Sequence, residues 1–246
     1  MRQLFAFTLL FAAASTGAFA QQAPLVTDRP DFTESAVTVP LGSIQFEGGL
    51  SFVDAGADAL IFGEPLIRYG LRDKLELRFG VPSIVSIDDP VDDTGLSDLS
   101  VGFKYALAPT ANGWSMAVLG ALSLPTGGDN FTSDTIDPSA IFVASRDIND
   151  RTSFAAQARG AIVGDDNDAV LETTAVFAYA IRPDLSGFAE LATLFQDNVD
   201  TGVTLHTGVS SLIQELLQVD VHLGFGLTDT AADFFIGAGI AYRLDR

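Results

Sequence analysis

Residues 217–227 read LQVDVHLGFGL, and within them Val219, Val221, Leu223 and Phe225 alternate with Asp220, His222, Gly224 and Gly226. Successive side chains of a strand point to opposite faces, so this period of two predicts a β-strand with one apolar and one polar side. The pattern recurs along the chain. Ile44, Phe46, Leu50 and Phe52 face away from Gln45, Glu47 and Ser51. Leu75, Leu77, Phe79 and Val81 alternate with Glu76 and Arg78, and Leu99, Val101, Phe103, Tyr105 and Leu107 with Ser100, Gly102 and Lys104. Twelve such runs are predicted: 43–52, 59–70, 74–86, 97–108, 113–124, 138–147, 151–163, 169–181, 185–196, 201–213, 217–227 and 233–244.

The connections alternate in kind. Short turns fall at Arg72-Asp73, Pro109–Gly113, Ile148–Asp150, Arg182–Asp184 and Glu215-Leu216. Between them lie connections of more variable length, the longest being IDDPVDDTGL (87–96) and PTGGDNFTSDTID (125–137), both rich in Asp and Gly. This rhythm predicts an all-β, closed antiparallel transmembrane β-barrel of about twelve strands, with short periplasmic turns, longer external loops and both termini periplasmic. Alternation alone does not say which face is inside. A soluble β-sandwich or lipocalin-like barrel has the same period with its polar face outward.

Export favours the membrane reading. Arg2, an apolar run from Leu4 to Ala14 and the small-x-small site Ala18-Phe19-Ala20 form a secretory signal peptide, with cleavage expected near Ala20. The predicted organisation is a signal peptide (1–20), an irregular N-terminal segment that is periplasmic or plugs the lumen (21–42), and an outer-membrane barrel (43–246). Hydrophobic residues make up 48% of the chain and the mean hydropathy is +0.31, yet no stretch reaches the length of a transmembrane helix. Spreading apolar residues over alternating strand positions reconciles the two. The chain has no Cys, so neither disulfides nor thiolate chemistry are available. Thirteen Lys and Arg against 32 Asp and Glu give a net charge of −19, which argues against nucleic acid and against a polybasic lipid-binding surface.

The polar faces collect Glu47, Glu64, Arg68, Glu76, Arg78, Lys104, Gln157, Arg159, Glu172, Glu190, His206, Asp220, His222 and Arg243. If these faces line a lumen, the charges serve as mutual counterions or line a selective pore. His206 and His222 invite a hydrolase reading, but no G-x-S-x-G elbow is present. The Asp-rich loops lack the spacing of an EF-hand calcium loop, and Gly127-Gly128 is followed by neither Lys nor a helix. No catalytic site, metal or cofactor is expected. In the N-terminal segment, TDRPDFTES (27–35) packs both signs of charge around Pro30 and Phe32. One expectation is a plug, with Arg29 meeting inward Glu side chains, Asp31 and Glu34 meeting Arg68, Arg78 or Arg159, and Phe32 as an apolar stopper. The other is a disordered periplasmic tail.

Several stretches resemble a family of bacterial outer-membrane proteins labelled as transporters and named for the MetA pathway of phenol degradation. They are TDRPDFTES (27–35), VPLGSIQFEGGLSF (39–52), YGLRDKLELRFGVP (69–82), GLSDLSVGFKYAL (95–107), SLPTG (123–127), LSGFAELATLF (185–195) and LQVDVHLGFGLTDTAADFFIGAGIAYRL (217–244). The resemblance implies a barrel in the cell outer membrane, with the lipid bilayer and the barrel insertion machinery as partners. It also implies a channel or transporter for a small, unidentified solute, aromatic or otherwise hydrophobic. One departure is the ending Leu244-Asp245-Arg246, where outer-membrane barrels often end in an aromatic residue; Tyr242 is the nearest. The alternatives are a membrane-embedded, phospholipase-like hydrolase and a closed structural or interaction barrel.

Overall fold

The computed structural model describes residues 23–88 and 92–245. The signal peptide and its cleavage site lie outside the described residues. Fourteen strand segments follow one another: β1 (Ile44–Asp54), β2 (Asp58–Arg72), β3 (Leu75–Gly80), β4 (Ile84–Asp88), β5 (Asp92–Leu96), β6 (Leu99–Ala106), β7 (Ser115–Leu124), β8 (Asp137–Asn149), β9 (Thr152–Val163), β10 (Asp168–Arg182), β11 (Leu185–Gln196), β12 (Val199–Gln214), β13 (Leu217–Gly226) and β14 (Phe234–Leu244). Neighbours pair antiparallel, and β1 pairs with both β2 and β14, so the sheet closes on itself.

Two of the wall strands are interrupted. The run read as 74–86 is split into β3 and β4, and the wall strand expected as 97–108 is β6 preceded, across a break at 97–98, by β5, which falls in the stretch expected as a loop. Both β3 and β4 pair with β2, so the wall still counts twelve strands. Pro82 has no N–H to give the ladder and sits in the gap between β3 and β4. Single bonds carry the sheet across it: Val81 N–H donates to Pro65 O at 2.8 Å and Ser97 N–H to Ser83 O at 2.9 Å. The stretch 87–96, expected as a loop, belongs largely to the β4–β5 hairpin. The stretch 125–137 is mostly a loop, pinned by Asp98, whose carboxylate accepts the amides of Thr126 (2.9 Å), Gly127 (2.8 Å) and Ser133 (3.3 Å). Burial pushes the Asp98 carboxyl up, but these amides and the Thr132 hydroxyl outweigh it and hold it below the usual carboxylate range.

The burial pattern is inverted relative to a soluble fold. The largest fully buried side chains are Arg68, Arg243, Lys104, His206, Gln45, Glu76, Glu190 and Val143, and only the last is apolar. Large apolar side chains face outward instead, among them Phe46, Phe62, Phe103, Phe142, Phe177 and Val221. In water such a continuous apolar surface would drive aggregation, whereas hydrocarbon stabilises it. Closure follows from the same environment, because an open edge would leave backbone groups unpaired in lipid. The soluble sandwich is thereby excluded. Of the residues expected to face lipid, Phe103, Val219, Val221 and Phe225 are exposed, while Leu99, Val101 and Leu223 are half-buried.

The chain ends meet at the short-turn end of the barrel. Among the described residues, the connections at the opposite end (55–57, 125–136, 164–167, 197–198 and 227–233) carry neither Lys nor Arg, and all but 55–57 carry Asp. Lys74 and Arg151 lie in short turns, and Arg72, Arg146 and Arg182 beside them.

Candidate functional site

Residues 23–43 form no strand and run through the barrel interior, contacting inward side chains around most of the wall. At the chain-end mouth, Arg243 donates to Ala23 O (2.5 Å) and Pro24 O (2.8 Å), and Gln45 Nε2 to Val26 O (2.9 Å).

Deeper in, the segment supplies the centre of a charge network. The Asp28 carboxylate lies 2.5 Å from Arg78 Nη1, 2.7 Å from Lys104 Nζ and 3.1 Å from Arg68 Nη1. Arg68 and Arg78 are direct cross-strand partners, and Glu76 stands opposite Lys104. Two guanidinium groups directly opposed across strands repel one another. Asp28 and Glu76 lie between them; Glu76 accepts from Arg68 Nε at 2.9 Å and Arg78 Nη1 at 3.0 Å. Glu47 completes the set, accepting from Arg68 Nη1 at 2.8 Å and from the Asp28 amide at 3.0 Å. Burial opposes ionisation of Asp28, but Arg68, Lys104 and Arg78 together hold its carboxyl well below the ordinary range. Glu34 adds a contact to Arg78 Nη2 at 2.8 Å and lies 3.3 Å from Lys104 Nζ.

Arg29 reaches the adjoining stretch of wall on both sides of the β1–β14 seam. It pairs with Glu64 at 2.9 Å and Asp220 at 3.3 Å. Gly49, Gly239 and Asp220 lie in one cross-strand row, and a Cβ on either glycine would overlap the Arg29 guanidinium. Glycine is needed there for close approach, not for a turn.

The third anchor is Glu190. It accepts from Phe32 N–H (2.8 Å), Thr33 N–H (2.9 Å), the Thr33 hydroxyl (2.6 Å) and His206 Nδ1 (2.8 Å). Phe32 packs on His206 with ring centroids 4.3 Å apart and on Phe235 at 5.6 Å. His206 Nε2 meets His222 Nδ1 at 3.0 Å, and His222 Nε2 has no hydrogen-bond partner among the described residues. Among the described residues no serine hydroxyl is hydrogen-bonded to the far end of this Glu–His–His chain, and the Ser51 hydroxyl donates to Glu64 instead. Hydrogen bonds to a charged acceptor contribute about 1.5–3 kcal/mol each. Glu190→Ala is therefore expected to speed amide exchange at Phe32 and Thr33 by at least tenfold, read by hydrogen–deuterium exchange, with amides of the segment's other anchors less affected.

The other expected site residues fall into place around these anchors. Arg159 and Glu172 pair with each other at 3.3 Å and, among the described residues, make no ion pair with the segment. Asp31 makes no ion pair among the described residues; Asp28 occupies the position beside Arg68 and Arg78 expected of it. Burial, then the nearby Glu190, push the Asp31 carboxyl well above the ordinary range. Thr33, Thr174 and Gln218 also contribute, Thr33 Oγ1 lying 2.5 Å from Thr174 Oγ1 and Gln218 Nε2 donating to Thr27 Oγ1 at 3.0 Å. As neutral residues they carried no charge signal in the sequence. Two cavities flank the segment, of about 390 Å³ toward the long-loop mouth and about 410 Å³ toward the short-turn mouth, and Glu34 lines both.

A closed twelve-stranded wall with charged groups buried inside and apolar groups outside defines an outer-membrane β-barrel. Residues 27–244 match the family described as "Putative MetA-pathway of phenol degradation", and the chain belongs to that family. Solved structures share its fold. It is similar to the COG4313 outer membrane channel from Pseudomonas putida F1 (13% identity, TM-score 0.61, covering 84% of this chain and 97% of that one). It also resembles the KdgM porin (15%, 0.55, 82% and 99%) and the NanC porin (10%, 0.57, 82% and 100%). No curated protein matches.

Proposed function

We propose that this barrel is an outer-membrane channel for a small solute, with segment 21–42 acting as a partition across its lumen. The observation that carries the reading is the position of Glu34 between the two cavities, held by Arg78 and Lys104. The fold shared with a channel and two porins supports passage, and the family description points to an aromatic or other hydrophobic solute. Insertion is expected to use the barrel insertion machinery, with Tyr242, exposed on β14, as the aromatic nearest the end. A hydrolase is disfavoured because the two His residues lie inside the wall, away from lipid substrate.

Single-channel recording in planar bilayers tests this. Wild type is expected to conduct rarely or in small steps. Deleting residues 21–35 is expected to give larger or more frequent openings. Unchanged conductance, together with rapid proteolysis of the segment in the intact barrel, would reduce it to a tail. Silence of both proteins would favour a structural barrel, and ester hydrolysis abolished by substituting His206 or His222 would favour an enzyme.

A further inference from the structure

The cavity on the long-loop side of Glu34 is amphipathic. Leu119, Ile141, Ala161 and Val163 give it an apolar wall, and Arg78 and Arg159 contribute two guanidinium groups. Most of its charges are already satisfied. Glu34 is held by Arg78 and Lys104. Asp137 accepts from the Thr135 hydroxyl at 2.6 Å and the Gly164 amide at 3.2 Å. Arg78 is shared among Asp28, Glu76 and Glu34. Arg159 differs. Its side chain is 37% exposed, and its one ion pair among the described residues is Nη1 to Glu172 at 3.3 Å. A guanidinium has five N–H donors in a planar fork suited to a carboxylate, so most of this fork is available to a guest.

We infer that this cavity is a solute subsite for a monoanionic amphiphile, a carboxylate on an apolar body of about one ring, with Arg159 receiving the carboxylate and Ile141 and Val163 the body. A volume of about 390 Å³ is at the small end of the range for ligand pockets. The mouth above it carries Asp without Lys or Arg among the described connections, which raises the entry cost with each added negative charge. That favours a single anionic group over a polyanion. The inference rests on the channel reading for its purpose but not for its chemistry.

The test uses the full-length mature protein in detergent and three probes of similar shape: phenylacetate, 2-phenylethanol and 2-phenylethylamine. By calorimetry, phenylacetate is expected to bind about tenfold more tightly than the alcohol, with the amine weakest. Arg159→Gln is expected to bring phenylacetate down to the level of the alcohol, and Arg159→Lys to restore part of the difference. Ala161→Trp, which fills the cavity, should abolish binding of both. Heat-modifiable gel mobility checks that each variant is folded. Equal binding of the three probes, or an unchanged phenylacetate preference in a folded Arg159→Gln variant, overturns the subsite. Bilayer recordings in KCl without probe separate the two readings. Conductance without selective binding sinks the subsite alone, and selective binding without conductance sinks the channel alone.

Discussion

Asp28→Asn is expected to release the N-terminal segment from the lumen. The Asp28 side chain is 5% exposed and those of Arg68 and Lys104 are fully buried. The asparagine keeps the size but removes the anion between two opposed guanidinium groups and an ammonium. Breaking a buried charge pair by neutralising one partner typically costs about 3–5 kcal/mol, because the remaining charges stay desolvated. That is enough to turn a seated segment into one that is frequently out. The expected readouts are protease cleavage within 23–42 in folded barrels and larger conductance steps. Asp31→Asn is the internal control. Asp31 has no ion pair among the described residues, and its carboxyl is pushed up by burial and by Glu190. Neutralising it should leave the segment seated. Equal protease resistance in wild type and Asp28→Asn would mean that the charge network does not hold the segment.

Val221→Arg is expected to destabilise the barrel by about 2–4 kcal/mol, the cost of a lipid-facing cation near the bilayer midplane. Val221 is 52% exposed at the middle of β13. The same change at Leu227, just beyond the end of that strand, should cost about 0–1 kcal/mol, since the penalty fades toward the interface. Reversible guanidinium unfolding in lipid vesicles measures both. Indistinguishable curves for Val221→Arg and wild type would remove the outward face from hydrocarbon.

The wall was legible in the sequence because alternation is a local property. At Val219–Phe225 each residue announces its face through its neighbours two positions away, and all ten uninterrupted wall strands carry some form of that signal. The breaks were less legible. Ile84 and Val85 read as the tail of one strand and the Asp- and Gly-rich 87–96 as a loop, yet Ile84↔Leu96 and Ile87↔Asp93 pair in register. That pairing depends on a partner strand, which local propensity does not report. The lumen was legible only in its ingredients. The charged residues could be named, but an extended segment without periodicity does not say which acid meets which base. Asp28 and Asp31 are three residues apart in one acidic stretch, and only the threading of the chain selects Asp28.

The seam between β1 and β14 joins the two ends of the chain, and it has a bearing on assembly. The segment immediately precedes β1, while Arg243, which holds Ala23 and Pro24, lies on the last strand. The final grip on the first described residues therefore forms only after the final strand has been placed. Asp28, by contrast, needs only β2, β3 and β6, all in the first half of the chain. Docking can thus begin on a partly curled sheet, with a carboxylate gathering the bases of three early strands, and be completed as the seam zips. On that order of contacts the segment would serve as a scaffold around which the wall is wound before it takes up the partition role proposed above.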